Sequence, residues 1–153
     1  MKCCTFFGHH DCPDSIKGEL QDAIKRKIEE GVNLFYIGNH GRFDAMALSC
    51  LRELIKEYPE ISYAVVLAYL PTERNGYTDR ETVFPEGIES IPRRFAIDYR
   101  NRWMIDRADV VIAHVTHAWG GAAKYVRYAE RKVKRIVYLK EKIVNSQRTI
   151  TTE

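Results

Sequence analysis

The run Ala64-Val65-Val66-Leu67-Ala68 is apolar at every position. Successive residues of a strand face opposite ways, so a strand built from this run has no solvent side. It belongs in the middle of a parallel sheet, with helices covering both faces. The rest of the chain supplies the partners. Strands are expected at Cys3–Gly8, Leu34–Gly38, Ile61–Leu70, Asp109–Val115 and Arg135–Leu139. Helical patterns lie between most of them. The first has one apolar stripe, Ile16, Leu20, Ala23, Ile24 and Ile28, with Ser15 placed to cap it and Gly31 to end it. The second would bury Phe43, Ala47, Cys50, Leu51, Leu54 and Tyr58, and Pro59 stops it. Two more are expected over about Phe95 to Arg107 and Gly121 to Lys132. This alternation predicts an α/β fold. The form expected is a Rossmann-like three-layer sandwich with a mainly parallel five-stranded sheet. Its crossovers are right-handed and its strand order is 3-2-1-4-5.

A chain of 153 residues suits one domain, and residues 1–140 are read as that domain. The segment 71–93 breaks the rhythm. It carries three of the five prolines among charged residues, as lids and binding loops do. Residues 141–153 read as a polar tail. The longest apolar runs fall far short of a membrane span, and no signal peptide is evident. Cys3, Cys4, Cys12 and Cys50 form no C-x-x-C pair, which fits a reduced, cytoplasmic protein. The net charge of +3 is small, and no stripe of basic residues interleaved with aromatics is visible, which argues against nucleic acid as a partner.

In a doubly wound sheet, ligands sit outside the carboxyl ends of the strands, where the strand order reverses. Three loops meet that requirement: Gly8-His9-His10, Gly38 to Asp44, and Thr116 to Gly121. Gly38 and Gly41 lie three apart before a helix, where a ligand could approach the main chain. Gly120 and Gly121 open another helix, with Lys124 in its first turn. A helix start presents bare N–H groups and partial positive charge, which is a seat for phosphate. Trp119 could stack on a base or be structural. Asp44 could charge its helix start or bind a ribose hydroxyl. Arg93, Arg94, Arg100 and Arg102 form a basic cluster, from which Arg100 is the candidate phosphate contact. His9, His10, His40, His114 and His117 all fall near strand ends. With Asp11, Cys12 and Asp44 they could be weighed as metal ligands, but no pair has ligand spacing, so no metal and no cofactor is expected.

Taken together, these motifs resemble the SLOG superfamily, the Rossmann-like group of Smf/DprA and the LOG phosphoribohydrolases. The similarity is greatest to small single-domain members from bacteria and their phages. The residues that carry the resemblance are Thr5-Phe6-Phe7-Gly8-His9 and Gly38-x-x-Gly41-x-x-Asp44. They continue with Arg100-Asn101, Met104-Ile105-Asp106, Ala108 to Ala113, and Gly120-Gly121 with Ala129. The resemblance spans about residues 3–139. It implies a nucleotide-derived ligand held by Gly8, His9, Gly38, Asn39, Gly41, Arg42, Asp44, Arg100, Asn101, Thr116, Trp119, Gly120, Gly121 and Lys124. It also implies a homodimer or larger assembly. Some relatives capture NAD-derived signals in phage–bacteria conflict, so binding of an ADP-ribose-type signal is the expected function.

The alternative is hydrolysis of an N-glycosidic bond, as in the LOG relatives. Those enzymes carry a PGGxGTxxE stretch. Aligning the paired glycines puts Trp119 at the proline, Lys124 at the threonine and Arg127 at the glutamate. A cation cannot do the work of that carboxylate, so no catalytic residue is assigned.

Overall fold

The computed structural model describes residues 2–69 and 79–140. In chain order, β1 (Lys2–Gly8) leads through a 3-10 turn (Asp14–Ile16) into α1 (Lys17–Glu29), β2 (Val32–Ile37), α2 (Arg42–Glu57) and β3 (Ser62–Val66). Next come β4 (Thr82–Val83), α3 (Ala96–Arg107), β5 (Val110–His114), α4 (Gly121–Arg131) and β6 (Arg135–Tyr138). The strands form one sheet in the order β4-β3-β2-β1-β5-β6, and every pairing is parallel. The five strands expected from sequence therefore lie in the expected order. The sixth, β4, is an addition inside the segment read as a loop. A two-residue strand is too short to show a period. It is held by its ladder to Val65 and Val66, and by a clamp on the adjoining Glu81. Arg52 donates two hydrogen bonds to that carboxylate at 2.8 and 2.9 Å, and Tyr63 donates a third at 2.8 Å. The first part of the 71–93 segment and the 141–153 tail lie outside the described residues.

Period-two patterning divides the core. Phe6, Phe35, Ile37, Val65 and Ile112 face α1 and α2; Phe7, Val66, Val111 and Ala113 face α3 and α4. The expected stripe of α1 is buried in full, and so is that of α2, apart from half-buried Tyr58. Ser15 does not occupy the cap of α1. The chain is already turning at Asp14, behind Pro13, so Ser15 sits inside the 3-10 turn. All four cysteines are free and buried. Among the described residues, no helix is long and apolar enough to cross a membrane.

Two glycines set the turns at the carboxyl edge. Gly41 precedes α2 with φ 96° and ψ 179°, and Gly120 precedes α4 with φ 95° and ψ 175°. Side chains rarely adopt this backbone conformation. A Cβ on Gly41 would also lie 2.4 Å from the Cβ of His10 and 2.7 Å from its Cα. Gly41 is thus the point where the loop after β1 packs on the loop after β2. This packing is by itself a reason for glycine at position 41. Gly41→Ala should therefore destabilise the fold by about 2–3 kcal/mol, lowering the melting temperature by roughly 5–10 °C. An unchanged melting temperature would mean the two loops do not pack in this way.

Candidate functional site

The three carboxyl-edge loops and α3 enclose a crevice of about 440 Å³. That is within the range of small-molecule sites. Of the residues expected at a site, Gly8, His9, Asp44, Arg100, Asn101, Trp119, Gly120 and Gly121 line it. Gly38, Asn39, Gly41, Arg42, Thr116 and Lys124 do not. Gly38 lies beneath the lining. A Cβ there would stand 2.8 Å from Asp44 Oδ2 and 3.5 Å from the Arg100 guanidinium. Asn39 accepts a hydrogen bond from Arg100. Arg42 pairs with Asp14 at 3.0 Å, and Lys124 reaches Asp98 at 3.5 Å. His10, His40 and His117, which lie in the three loops singled out from sequence, also line it; Phe6, Phe7, Asp11, Ile97, Met104, Ala122 and Tyr125 were not assigned there. Helical spacing from Arg100 would have found Ile97 and Met104, which share its face of α3.

Arg100 is 2% exposed and so is a fixed part of the floor. Nε donates to Asn101 Oδ1 at 2.7 Å; Nη1 donates to the Val66 carbonyl at 2.8 Å and to Asn39 Oδ1 at 3.0 Å. Beside it, Asp44 sits three residues past the N-cap of α2, and its Oδ2 accepts the His40 N–H at 3.0 Å. The Arg42 N–H is taken by the His10 carbonyl at 2.9 Å. The protein's own acceptors thus meet the start of α2. Burial raises the Asp44 carboxyl to about 6, against the lowering effects of the His40 N–H and the Arg100 charge.

The opposite wall is aromatic. His9 stacks on His117 with ring centroids 3.7 Å apart, and His117 stacks on Trp119 at 3.9 Å. His9 Nε2 accepts the Thr116 N–H at 2.9 Å, which puts the ring proton of the neutral form on Nδ1. Burial, then the neighbouring His117 and His114, lower the pKa of His9 and favour that neutral form, against a raising effect of Asp11. Arg127 donates to the Ala118 carbonyl at 3.0 Å and closes the loop beneath Trp119. Trp119 itself is 69% exposed, so one face of the ladder is open. Next to it, Gly121 has open space where a Cβ would stand. Among the described residues, no cluster of His, Cys, Asp or Glu is placed to hold a metal ion.

No protein-family model matches the sequence, and no curated protein matches it. Solved structures do share the fold. DNA processing protein A (DprA) from Streptococcus pneumoniae superposes with a TM-score of 0.71 at 12% identity, over 95% of this chain and 52% of that one. This chain therefore spans about half of that protein. DprA from Helicobacter pylori, described for its single-stranded DNA binding mode, superposes with a TM-score of 0.68 at 14% identity, over 97% of this chain and 71% of that one. The Smf/DprA-like fold implied by the sequence motifs is thus found.

The likeness to a protein described for single-stranded DNA binding overturns the expectation that nucleic acid is not a partner. Net charge over the whole chain says nothing about local clustering, and a stripe of basic and aromatic groups can be assembled in space without being contiguous in sequence. The fold brings Arg93 over the Tyr69 ring at 4.1 Å and Arg94 over the Phe95 ring at 4.7 Å. Basic and aromatic groups therefore do alternate beside the crevice.

The raised Asp44 carboxyl makes a signed prediction. In an unfolded chain it ionises near 3.8, while in the fold it holds its proton to about 6. The unfolded state thus gains from ionisation first, and Asp44 lowers stability as pH rises from about 4 to 6, with the full cost present above 6. Asn can still accept the His40 N–H. Asp44→Asn should be more stable than the parent at pH 7.5 by about 1–2 kcal/mol, allowing for partial exposure to the crevice, and no more stable at pH 4. Thermal unfolding at the two pH values checks this, and a variant less stable at pH 7.5 would refute it.

Proposed function

We propose that the crevice binds a nucleotide, with the base on Trp119 and a phosphate against Gly120 and Gly121. The observation that carries this reading is the His9–His117–Trp119 ladder, which ends in an exposed indole beside the start of α4. Stacking a base on an aromatic ring is worth about 1–3 kcal/mol, and helix N–H groups suit a phosphate. The role is capture or sensing of a nucleotide or NAD-derived molecule without turnover. Arg127 at the position of the relatives' glutamate supports that choice, since its guanidinium is engaged on a loop carbonyl.

Titrations with AMP, ADP-ribose and NAD, followed by tryptophan fluorescence and calorimetry, test the reading. At least one should quench the emission, and Trp119→Ala should weaken its binding by about 1–3 kcal/mol. If Trp119→Ala binds as the parent does, the base is not on this ladder.

A second reading has one observation in its favour. The Arg93–Tyr69 and Arg94–Phe95 pairs adjoin the start of α3, which carries Ile97 and Arg100 into the crevice. A single strand could run from Trp119 onto them, with arginines on its phosphates and rings under its bases. An oligothymidylate should then bind with a steep salt dependence, and Arg94→Ala should weaken it while leaving mononucleotide binding alone. Equal effects on both ligands would remove the extended path.

A further inference from the structure

The two helices that start at the crevice edge follow glycines of like geometry and offer it different groups. Gly41 and Gly120 have almost the same backbone angles, but Gly120, Gly121 and Ala122 line the crevice, whereas Arg42 gives its N–H to the His10 carbonyl and Asp44 is the residue of that turn that reaches the lining. Three residues on from each glycine, α2 has Asp44 and α4 has Ala123. Asp44 puts a carboxylate where an incoming anion would sit, and Asp11 adds a second one to the same lining. The first turn of α4 contains no acidic residue. The crevice therefore has one end with a carboxylate acceptor and one end with open N–H donors.

We propose that Asp44 makes the α2 end of the crevice accept a hydroxyl donor and reject a phosphate. The ligand is then a nucleotide with its phosphate at α4 and unmodified sugar hydroxyls at Asp44. This rests on the reading of the crevice as a nucleotide site. The physical reason is the local charge. Asp44 and Arg100 both lie against Gly38 in the floor, and the Arg100 charge acts on that carboxylate. A phosphate placed there would meet the Asp44 charge at short range, with Arg100 held back by Asn39, Asn101 and the Val66 carbonyl. A sugar hydroxyl would instead donate to the carboxylate, a charge-assisted bond. Replacing Asp44 by Asn removes the repulsion, so the same end should become tolerant of phosphate. The shared chemistry, a nucleotide with free hydroxyls, occurs both in free nucleotides and at the 3′ end of a strand.

The test compares the four ribonucleoside 5′-monophosphates with their 2′,5′- and 3′,5′-bisphosphates by calorimetry at pH 7.5. The parent should prefer the monophosphate it binds best over either bisphosphate by about tenfold or more, since like charges at short range are strongly disfavoured. Asp44→Asn should cut that preference to about threefold or less, and Asp44→Glu, which keeps the charge, should retain it. Oligonucleotides ending in a 3′-hydroxyl or a 3′-phosphate separate the two sources. A preference for the 3′-hydroxyl strand over both the 3′-phosphate strand and the free monophosphate identifies a strand end; a preference for the monophosphate identifies a free nucleotide. If the monophosphate binds but bisphosphates bind equally well, or if Asp44→Asn leaves the preference intact, this inference falls and the nucleotide reading stands. If no nucleotide and no oligonucleotide binds, both fall together.

Discussion

A guanidinium buried in protein has to be hydrogen-bonded or the fold cannot hold it. Arg100 meets that condition by joining three elements at the carboxyl edge. Among its partners are the last carbonyl of β3, the Asn39 side chain in the turn after β2, and Asn101 beside it on α3. The ends of two strands and one helix are thereby fixed relative to one another. The same group explains the smallness of Gly38, which has Arg100 at 3.5 Å and Asp44 at 2.8 Å from where a Cβ would stand. The floor of the crevice is therefore rigid because its charges are satisfied from within. A ligand meets a surface that is already built, and that limits what it must order on binding.

Rigidity on the floor contrasts with openness on the wall. The histidine and tryptophan rings are held edge by edge, by the Thr116 N–H on His9, the Arg127 hydrogen bond under Ala118, and a contact between His117 Nδ1 and the Trp119 carbonyl at 2.9 Å. None of these uses the outer face of the indole. The loop thus spends its polar groups on its own shape and leaves its aromatic surface and the start of α4 to solvent. Lys124 follows the same logic. It looks like an anion contact in sequence, but Asp98 draws it off. Burial alone would raise the Asp98 carboxyl, but hydrogen bonds from Tyr125 and Arg102 lower it below the usual carboxylate range, so it remains an ionised partner.

Much of this was legible in the residues. The run Ala64–Ala68 is buried throughout, as its composition requires, although β3 is not central and has only the short β4 outside it. The stripes of α1 and α2 located their buried faces, because burial has a period that sequence records. Eight residues expected at a site do line the crevice, because the switch point follows from strand order alone. Other features had no signal of their own. Gly41 was read as room for a ligand, but glycine also permits two backbones to touch, and its packing on His10 becomes visible only in the fold. β4 left no trace, since its two residues are held by Glu81 and by the neighbouring strand and not by a pattern of their own.

The aromatic ladder shows why sites are harder to read than folds. Its members come from two loops, His9 from one and His117 with Trp119 from the other, separated by more than a hundred positions. What unites them is register. β1 and β5 are parallel neighbours, with Gly8 opposite His114, so the chain leaves both strands at the same level. The His9 N–H then bonds the His114 carbonyl at 3.3 Å and carries the pairing one residue past the strands. From there, each loop needs to turn only once for His9 to meet His117. A pair of parallel strands that end level thus converts two unremarkable loop histidines into a single stacked surface. The chemistry of the wall is a consequence of strand order, and it becomes visible only after the topology is known.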